Sequence, residues 1–304
     1  MGGLLVFGSE GFVGRTFQSI QGAKDLFLSD ISAASKKNYM KCDVRIRTEV
    51  DAVLKTVQPS LILYLTAQSS VKRSFDDPCM TFDINIKGLL NILESVKAMG
   101  IKPYFVYVST IEVYRKSNDK ITEKTQYAPE NPYAISKDAG EKIVNLYKKT
   151  GIIDGIIVQP VSHIGPGQTK DFSISSFAYQ VASAEKNGGD TVLVGNLDVT
   201  RDILDVRDVI SFYAKLLQQR PLDLEKMIVS SGNGYRYQEI LEMLIGISNK
   251  KDLLIRTDPS RLRPVDNNYL VASPSYAISK LGWNREIGIE KTLGDMLEYW
   301  RDNI

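Results

Sequence analysis

The chain has 304 residues, 43% of them hydrophobic and 24% charged, with 22 glycines and 11 prolines, which excludes a disordered, collagenous or low-complexity protein. Thirty-eight basic residues against 36 acidic ones leave a net charge of +2 with the single histidine neutral. No global field therefore recruits nucleic acid or an anionic membrane, and an anionic ligand must be held locally.

Short apolar runs alternate with helical stretches, and strands are predicted at Gly3 to Phe7, Leu26 to Ser29, Leu61 to Leu65, Tyr104 to Ser109, Ile152 to Gln159 and Met227 to Ser230. Strands separated by helices imply a parallel sheet covered on both faces. The apolar run at Leu61 to Leu65 is far below the roughly 20 residues that cross a bilayer. No basic and then apolar leader precedes the first strand, so the expected location is the cytoplasm. Cys42 and Cys79 form no CxxC pair and His163 is the sole histidine, so neither a disulfide framework nor a metal site is expected.

The first strand runs into GSEGFVG, in which Gly8, Gly11 and Gly14 let the turn tighten and the backbone approach a diphosphate facing a helix start. The spacing is GxxGxxG, and a plain turn before a helix fits the isolated pattern equally well. Asp30 ends the second strand 22 positions after Gly8, where a carboxylate accepts both adenosine ribose hydroxyls and repels a ribose phosphate. That favours NAD(H); Lys36 and Lys37 nearby leave NADP(H) open. Thr81 to Met99 reads as one helix ending at Gly100, with Phe82, Ile86, Leu89, Leu90, Leu93 and Val96 on one side.

The run Ser109-Thr110-Ile111-Glu112 is read as a strand end, with Thr110 and Glu112 facing one way. Thr110 suits a hydrogen bond to a substrate oxygen. Glu112 is a second acid or base, a hydroxyl acceptor, or a polar turn residue. Asn131 and Pro132 read as the cap and first residue of a helix to about Lys149. On it, Tyr133 and Lys137 lie four residues apart on one face, where an ammonium stabilises a phenolate. A solvated face fits the bare YxxxK pattern too.

After about residue 160 the texture changes to GPGQ, NGGD and GNLD turns. The fold class read from this order is α/β: a Rossmann-type doubly wound parallel sheet over residues 1–161, rejoined by about 201–230, with a smaller α/β substrate lobe over 162–304. Gly8, Asp30, Thr66, Thr110 and Pro160 all follow carboxyl ends of predicted parallel strands, the edge where such sheets bind ligands.

Through GSEGFVG, STIEVY and YAISK, in that order and spacing, the sequence resembles the extended short-chain dehydrogenase/reductase family. The resemblance implies Thr110, Tyr133 and Lys137 as the catalytic trio, joined by Glu112. It places Phe12, Val13, Val44 and Ser109 along the cofactor with the three glycines, Asp30 and Pro160. Asp43 is implied near the adenine, and Leu65, Thr66 and Ala67 further along the dinucleotide.

The rest of the chain is similar to a narrower branch, the enzymes of GDP-6-deoxyhexose synthesis, through TAQSSV, SHIGPGQ, VGNLDVTRDILDVRD and DPSRLRP. This implies a GDP-sugar substrate, with Arg201, Arg261 and Arg263 on its phosphates and Gln68, Ser162, His163, Val194 and Asn196 around the rest. A buried, hydrogen-bonded histidine is the competing role for His163. The branch commonly has Asn at Ser162, Arg at Gln159 and Gly at Arg115; the first two are read as touching the sugar wall. It holds 4-keto-6-deoxymannose reductases and mannose 4,6-dehydratases acting on GDP-sugars. The short, arginine-free Ile31 to Lys41 segment leans toward the reductases. A homodimer through the helices at 81–99 and 132–149 is implied as well.

Overall fold

The computed structural model describes residues 3–20 and 25–304. In chain order the elements are β1 (Leu4–Phe7), α1 (Phe12–Ile20), β2 (Leu26–Asp30), β3 (Tyr39–Lys41), α2 (Arg47–Val57), β4 (Leu61–Tyr64), α3 (Val71–Asp76), α4 (Pro78–Phe82), α5 (Gly88–Met99), β5 (Tyr104–Val108), α6 (Pro132–Lys149) and β6 (Asp154–Pro160). There follow β7 (Ser162–Ile164), α7 (Ser173–Asn187), β8 (Thr191–Val194), β9 (Thr200–Asp205), α8 (Val206–Gln219), β10 (Lys226–Val229), β11 (Gly234–Arg236), α9 (Tyr237–Ile247), β12 (Leu254–Thr257), β13 (Tyr269–Leu270), α10 (Ser275–Leu281) and α11 (Ile289–Asp302).

Seven strands form one sheet in the order β10-β6-β5-β4-β1-β2-β3. The pairs from β6 through to β3 are parallel. Leu5, Phe7, Ile62, Tyr64, Phe105 and Tyr107 are almost wholly buried in it, which is why these strands read as unbroken apolar runs. Each of the leucine, isoleucine and phenylalanine side chains contributes roughly 1.5–3 kcal/mol on burial. The strand order reverses between β1 and β4, the switch point at which sheets of this topology hold ligands.

Two compact units divide the chain. One comprises the described residues up to 115, 125–160 and 213–228 and carries the large sheet. The other, 116–124, 161–212 and 229–304, holds a small sheet in which β9 pairs with β7, β11 and β13, and a separate parallel pair, β8 with β12. The segment returning to the large sheet is thus 213–228, narrower than 201–230, because β9 gives its edges to strands of the second unit.

The helix predicted over Thr81 to Met99 is interrupted: a π-helical turn at Asp83–Lys87 joins α4 to α5. The Asn131 cap holds, its side chain accepting from the Ala134 N–H at 2.8 Å with Pro132 at the first helical position.

Candidate active site

In the first unit, the turn after β1 divides its work among three glycines. Gly8 takes φ +82°, and a Cβ there would lie 2.8 Å from the Thr66 amide nitrogen, so the turns after β1 and β4 meet at the switch point. A Cβ on Gly14 would strike the carbonyl oxygens of Gly8 and Ser9 at 2.4 and 2.6 Å, so its absence lets α1 close on the strand end. Around the missing side chain of Gly11, by contrast, only the Gly8 carbonyl approaches, at 3.3 Å. The backbone is open there, directly before Phe12 and Val13 begin α1, which makes a cradle for a diphosphate at a helix start.

Leu65 donates its N–H to the Phe7 carbonyl at 3.0 Å, and Leu65, Thr66 and Ala67 are half-buried along the same edge. Asp30 closes β2, and its carboxylate accepts N–H bonds from Glu10 and Ser32, both at 3.0 Å. Asp43 is engaged by Arg45, with bonds of 2.7 and 3.0 Å, and the side-chain hydrogen bond holds its carboxyl below the usual range. Val44 is buried.

Strand β5 stops at Val108, so Thr110 and Glu112 do not share a strand face as alternation predicted. Residues 111–113 form a 3-10 turn capped by Thr110, whose hydroxyl accepts from the Glu112 N–H at 3.2 Å. A threonine cap offers the backbone this alternative to a strand. The turn nevertheless brings both residues to Tyr133. Burial pushes the Tyr133 phenol upward, the Glu112 charge adds to that, and a hydrogen bond with Thr110 draws it down. The Glu112 carboxylate accepts from Asn131 Nδ2 at 3.1 Å, so one asparagine caps α6 and anchors the acid beside the phenol.

Lys137, on the same face of α6, is 3% exposed. Desolvation lowers it to about 7, opposed by the Glu141 carboxylate. Its Nζ stands 4.5 Å over the Tyr107 ring. Gly140 permits the close packing, since a Cβ there would fall 2.1 Å from the Tyr107 hydroxyl oxygen.

Behind the trio lies a polar network that motif spacing did not reveal. Glu141, one further turn along α6, is buried and takes bonds from Ser109 Oγ, from Gln159 Nε2 at 2.8 Å and from the Tyr127 hydroxyl at 2.6 Å. Lys226 Nζ donates to the Tyr127 hydroxyl at 2.9 Å, and Tyr114 donates to Gln159 Oε1 at 2.6 Å. Gln159 therefore belongs to this interior network and not to a sugar wall. Lys226 brings a positive charge to this network through Tyr127. Pro160 ends β6 beside it, buried. Gln68 is likewise committed: its carboxamide donates to Thr81 Oγ1 and the Ser70 carbonyl and accepts from the Ser70 N–H. Asn85 in the π turn accepts from the Gln68 N–H and donates to Ser136 Oγ, which donates to the Tyr133 carbonyl. These bonds tie the β4 edge to the tyrosine helix.

In the second unit, Asn196 and Arg263 line an open cavity of about 370 Å3 with Gly195, Leu197, Asp198, Thr257, Leu262 and Asp266. Asp266 binds Arg201 Nη2 at 2.8 Å and approaches Arg263 Nη1 at 3.8 Å. Arg201 is 4% exposed and so reaches the cavity lining through this carboxylate. Arg261 turns to Asp258 and to Ser176 Oγ, at 3.4 and 3.1 Å. Val194 is buried in the core of this unit. Ser162 is exposed. His163 is half-buried with Nδ1 3.1 Å from the Val161 carbonyl, and burial lowers its pKa. Asp266 was missed by sequence reasoning, although it follows the SRLRP run by two positions.

A sheet with this strand order, a glycine cradle at its switch point, and a threonine, tyrosine and lysine gathered at the ends of its strands together define an extended short-chain dehydrogenase/reductase. Within that class the chain belongs to the GDP-mannose 4,6 dehydratase family, whose sequence profile matches residues 5–296. It is 32% identical over 308 residues to a GDP-6-deoxy-D-mannose reductase of Pseudomonas aeruginosa, covering 99% of this chain and 98% of that protein. A GDP-mannose 4,6-dehydratase of Yersinia enterocolitica is 28% identical over 280 residues, 81% of this chain and 74% of the relative. The solved structure of RMD from Pseudomonas aeruginosa complexed with NADPH superposes with a TM-score of 0.87 at 30% identity, covering 100% of both chains.

Proposed function

We propose that this chain is an NAD(P)H-dependent oxidoreductase that reduces the 4-keto group of GDP-4-keto-6-deoxy-D-mannose to a GDP-6-deoxyhexose such as GDP-rhamnose. The observation that carries the reading is the end-to-end likeness to the Pseudomonas reductase, set against a dehydratase likeness that leaves about a quarter of the relative uncovered. The short connection between β2 and β3, residues 31–38 without an arginine, supports the same choice.

The residues present fit a nicotinamide dinucleotide: Gly8, Gly11 and Gly14 would hold its diphosphate, Asp30 its adenosine ribose, and Thr66 and Ala67 the adjoining edge. When bound, the reduced nicotinamide supplies the hydride for sugar carbon 4. Tyr133, its phenol kept protonated by burial, donates the proton to the oxygen that becomes the alcohol. Thr110 fixes that phenol by hydrogen bonding, and Lys137 contributes positive charge in a water-poor corner. Arg263, with Asn196 and the Asp266-bound Arg201, is proposed to hold the GDP moiety.

One observation favours a second reading. Glu112 lies beside Tyr133 with its carboxylate anchored by Asn131, as a base removing the carbon 5 proton in a 4,6-dehydratase requires. Purified protein given the keto sugar and NADH or NADPH separates the two. Stoichiometric oxidation of the reduced cofactor supports the reductase; water loss from GDP-mannose without added reductant replaces it with the lyase.

No helix among the described residues is long and apolar enough to cross a membrane, and the enzyme is proposed to work in the cytoplasm. It is further proposed to be a homodimer, which Ile135 and Leu146 on α6 and Phe82 on α4, all exposed, support. Sedimentation at micromolar concentration, where a monomer would count against it, tests that state.

A further inference from the structure

The adenosine end of the dinucleotide site carries an ion pair that none of the roles above uses. Glu10 lies inside the glycine turn and donates its N–H to Asp30. Its side chain binds Lys36 Nζ through both carboxylate oxygens, at 2.7 and 2.8 Å. Gln18 Oε1 accepts from the same ammonium at 3.0 Å. Lys36 stands on the segment after β2 from which a cation would meet a phosphate on the adenosine ribose.

We propose that Glu10 is a cofactor-selectivity residue: by clamping Lys36 it leaves two carboxylates and one neutralised cation at the adenosine ribose, so that NADH is taken in preference to NADPH. The inference deepens the dinucleotide reading of this site and rests on it. A 2′-phosphate meets Asp30 first, whose carboxylate is fixed by two backbone N–H groups and cannot swing away without losing them. If Lys36 moved to that phosphate, Glu10 would be left unpaired beside Asp30, and the exchange would gain nothing. Arg45 cannot substitute, because its guanidinium is spent on Asp43. Asp30 thus states the preference and Glu10 disarms a cation that would reverse it.

The test is calorimetric titration of the full chain with NADH and NADPH. The wild type is expected to prefer NADH by about a hundredfold, the scale of a like-charge juxtaposition. Glu10→Gln releases Lys36 and narrows that ratio by about tenfold, and adding Lys36→Ala to Glu10→Gln restores it. Lys36→Ala alone, which leaves Glu10 unpaired beside Asp30, lowers the NADPH to NADH ratio further. Equal affinity of the wild type for both nucleotides, an unmoved ratio in Glu10→Gln, or a rise in relative NADPH affinity in Lys36→Ala would each overturn the proposal. Failure of the wild type to take up either nucleotide overturns the dinucleotide reading itself.

Discussion

The tyrosine corner of the first unit and the arginine cavity of the second are built by opposite strategies. In the first, the acids and amides are held by fixed partners within the unit: Glu141 has three, Glu112 has Asn131, and Asn85 ties the β4 edge to α6, while the Tyr107 hydroxyl is buried without a hydrogen bond. The second is assembled from turns, is open, and keeps its charges in local pairs through Asp266. Proton transfer requires fixed geometry and a dry setting, which regular elements supply. Holding a diphosphate requires charge that can change partner, for which loops suffice.

The sharpest way to break this contrast is Tyr133→Phe. Turnover should fall by roughly a hundred- to ten-thousandfold, the range general acid catalysis provides, with nucleotide affinity kept. Retained turnover in a stopped-flow assay would remove the phenol from the chemistry.

Lys137 tests the dryness of the corner. Its pKa lies near 7 in the fold against 10.5 unfolded, so the unfolded state binds more protons between those values and stability rises with pH there. Lys137→Met relieves that penalty. It should stabilise the fold at pH 7 by on the order of a few kcal/mol at most, read as a higher Tm, and the gain should shrink as the pH approaches 10.5. A gain independent of pH would mean that it comes from the packing of the methionine and not from removal of a buried charge.

The smallest effect sharpens the other side. Arg263→Leu should weaken GDP binding by about tenfold, as expected for one charge-assisted bond. Val194→Ala, cutting into the core of the same unit, should lower Tm while GDP affinity stays the same. Calorimetry and thermal melts on both variants would expose a reversal.

Much of the first unit was legible because its signals are local. The glycine turn, the Asn131-Pro132 cap and the four-residue spacing of Tyr133 and Lys137 each lie within one or two turns of chain. Glu141 could have been found by carrying that helical face one turn further. Tyr127 and Lys226 could not, since 99 residues separate the two ends of their hydrogen bond. Strand alternation misled at Thr110, where a side-chain cap won over extension. In the second unit motif likeness alone nominated Val194 and Arg261, and it did not distinguish the buried face of β8 from the cavity two residues on.

The π turn at Asp83–Lys87 offsets α5 from α4 by about one residue, and Asn85 sits within that offset, directed inward. Deleting a single residue between 83 and 87 would let the two helices fuse into one regular rod and rotate the asparagine by about 100°. The loop after β4 and the helix bearing the phenol would then lose their shared tether without any change at the reacting groups. What looks like an irregularity is the keyway that sets their alignment.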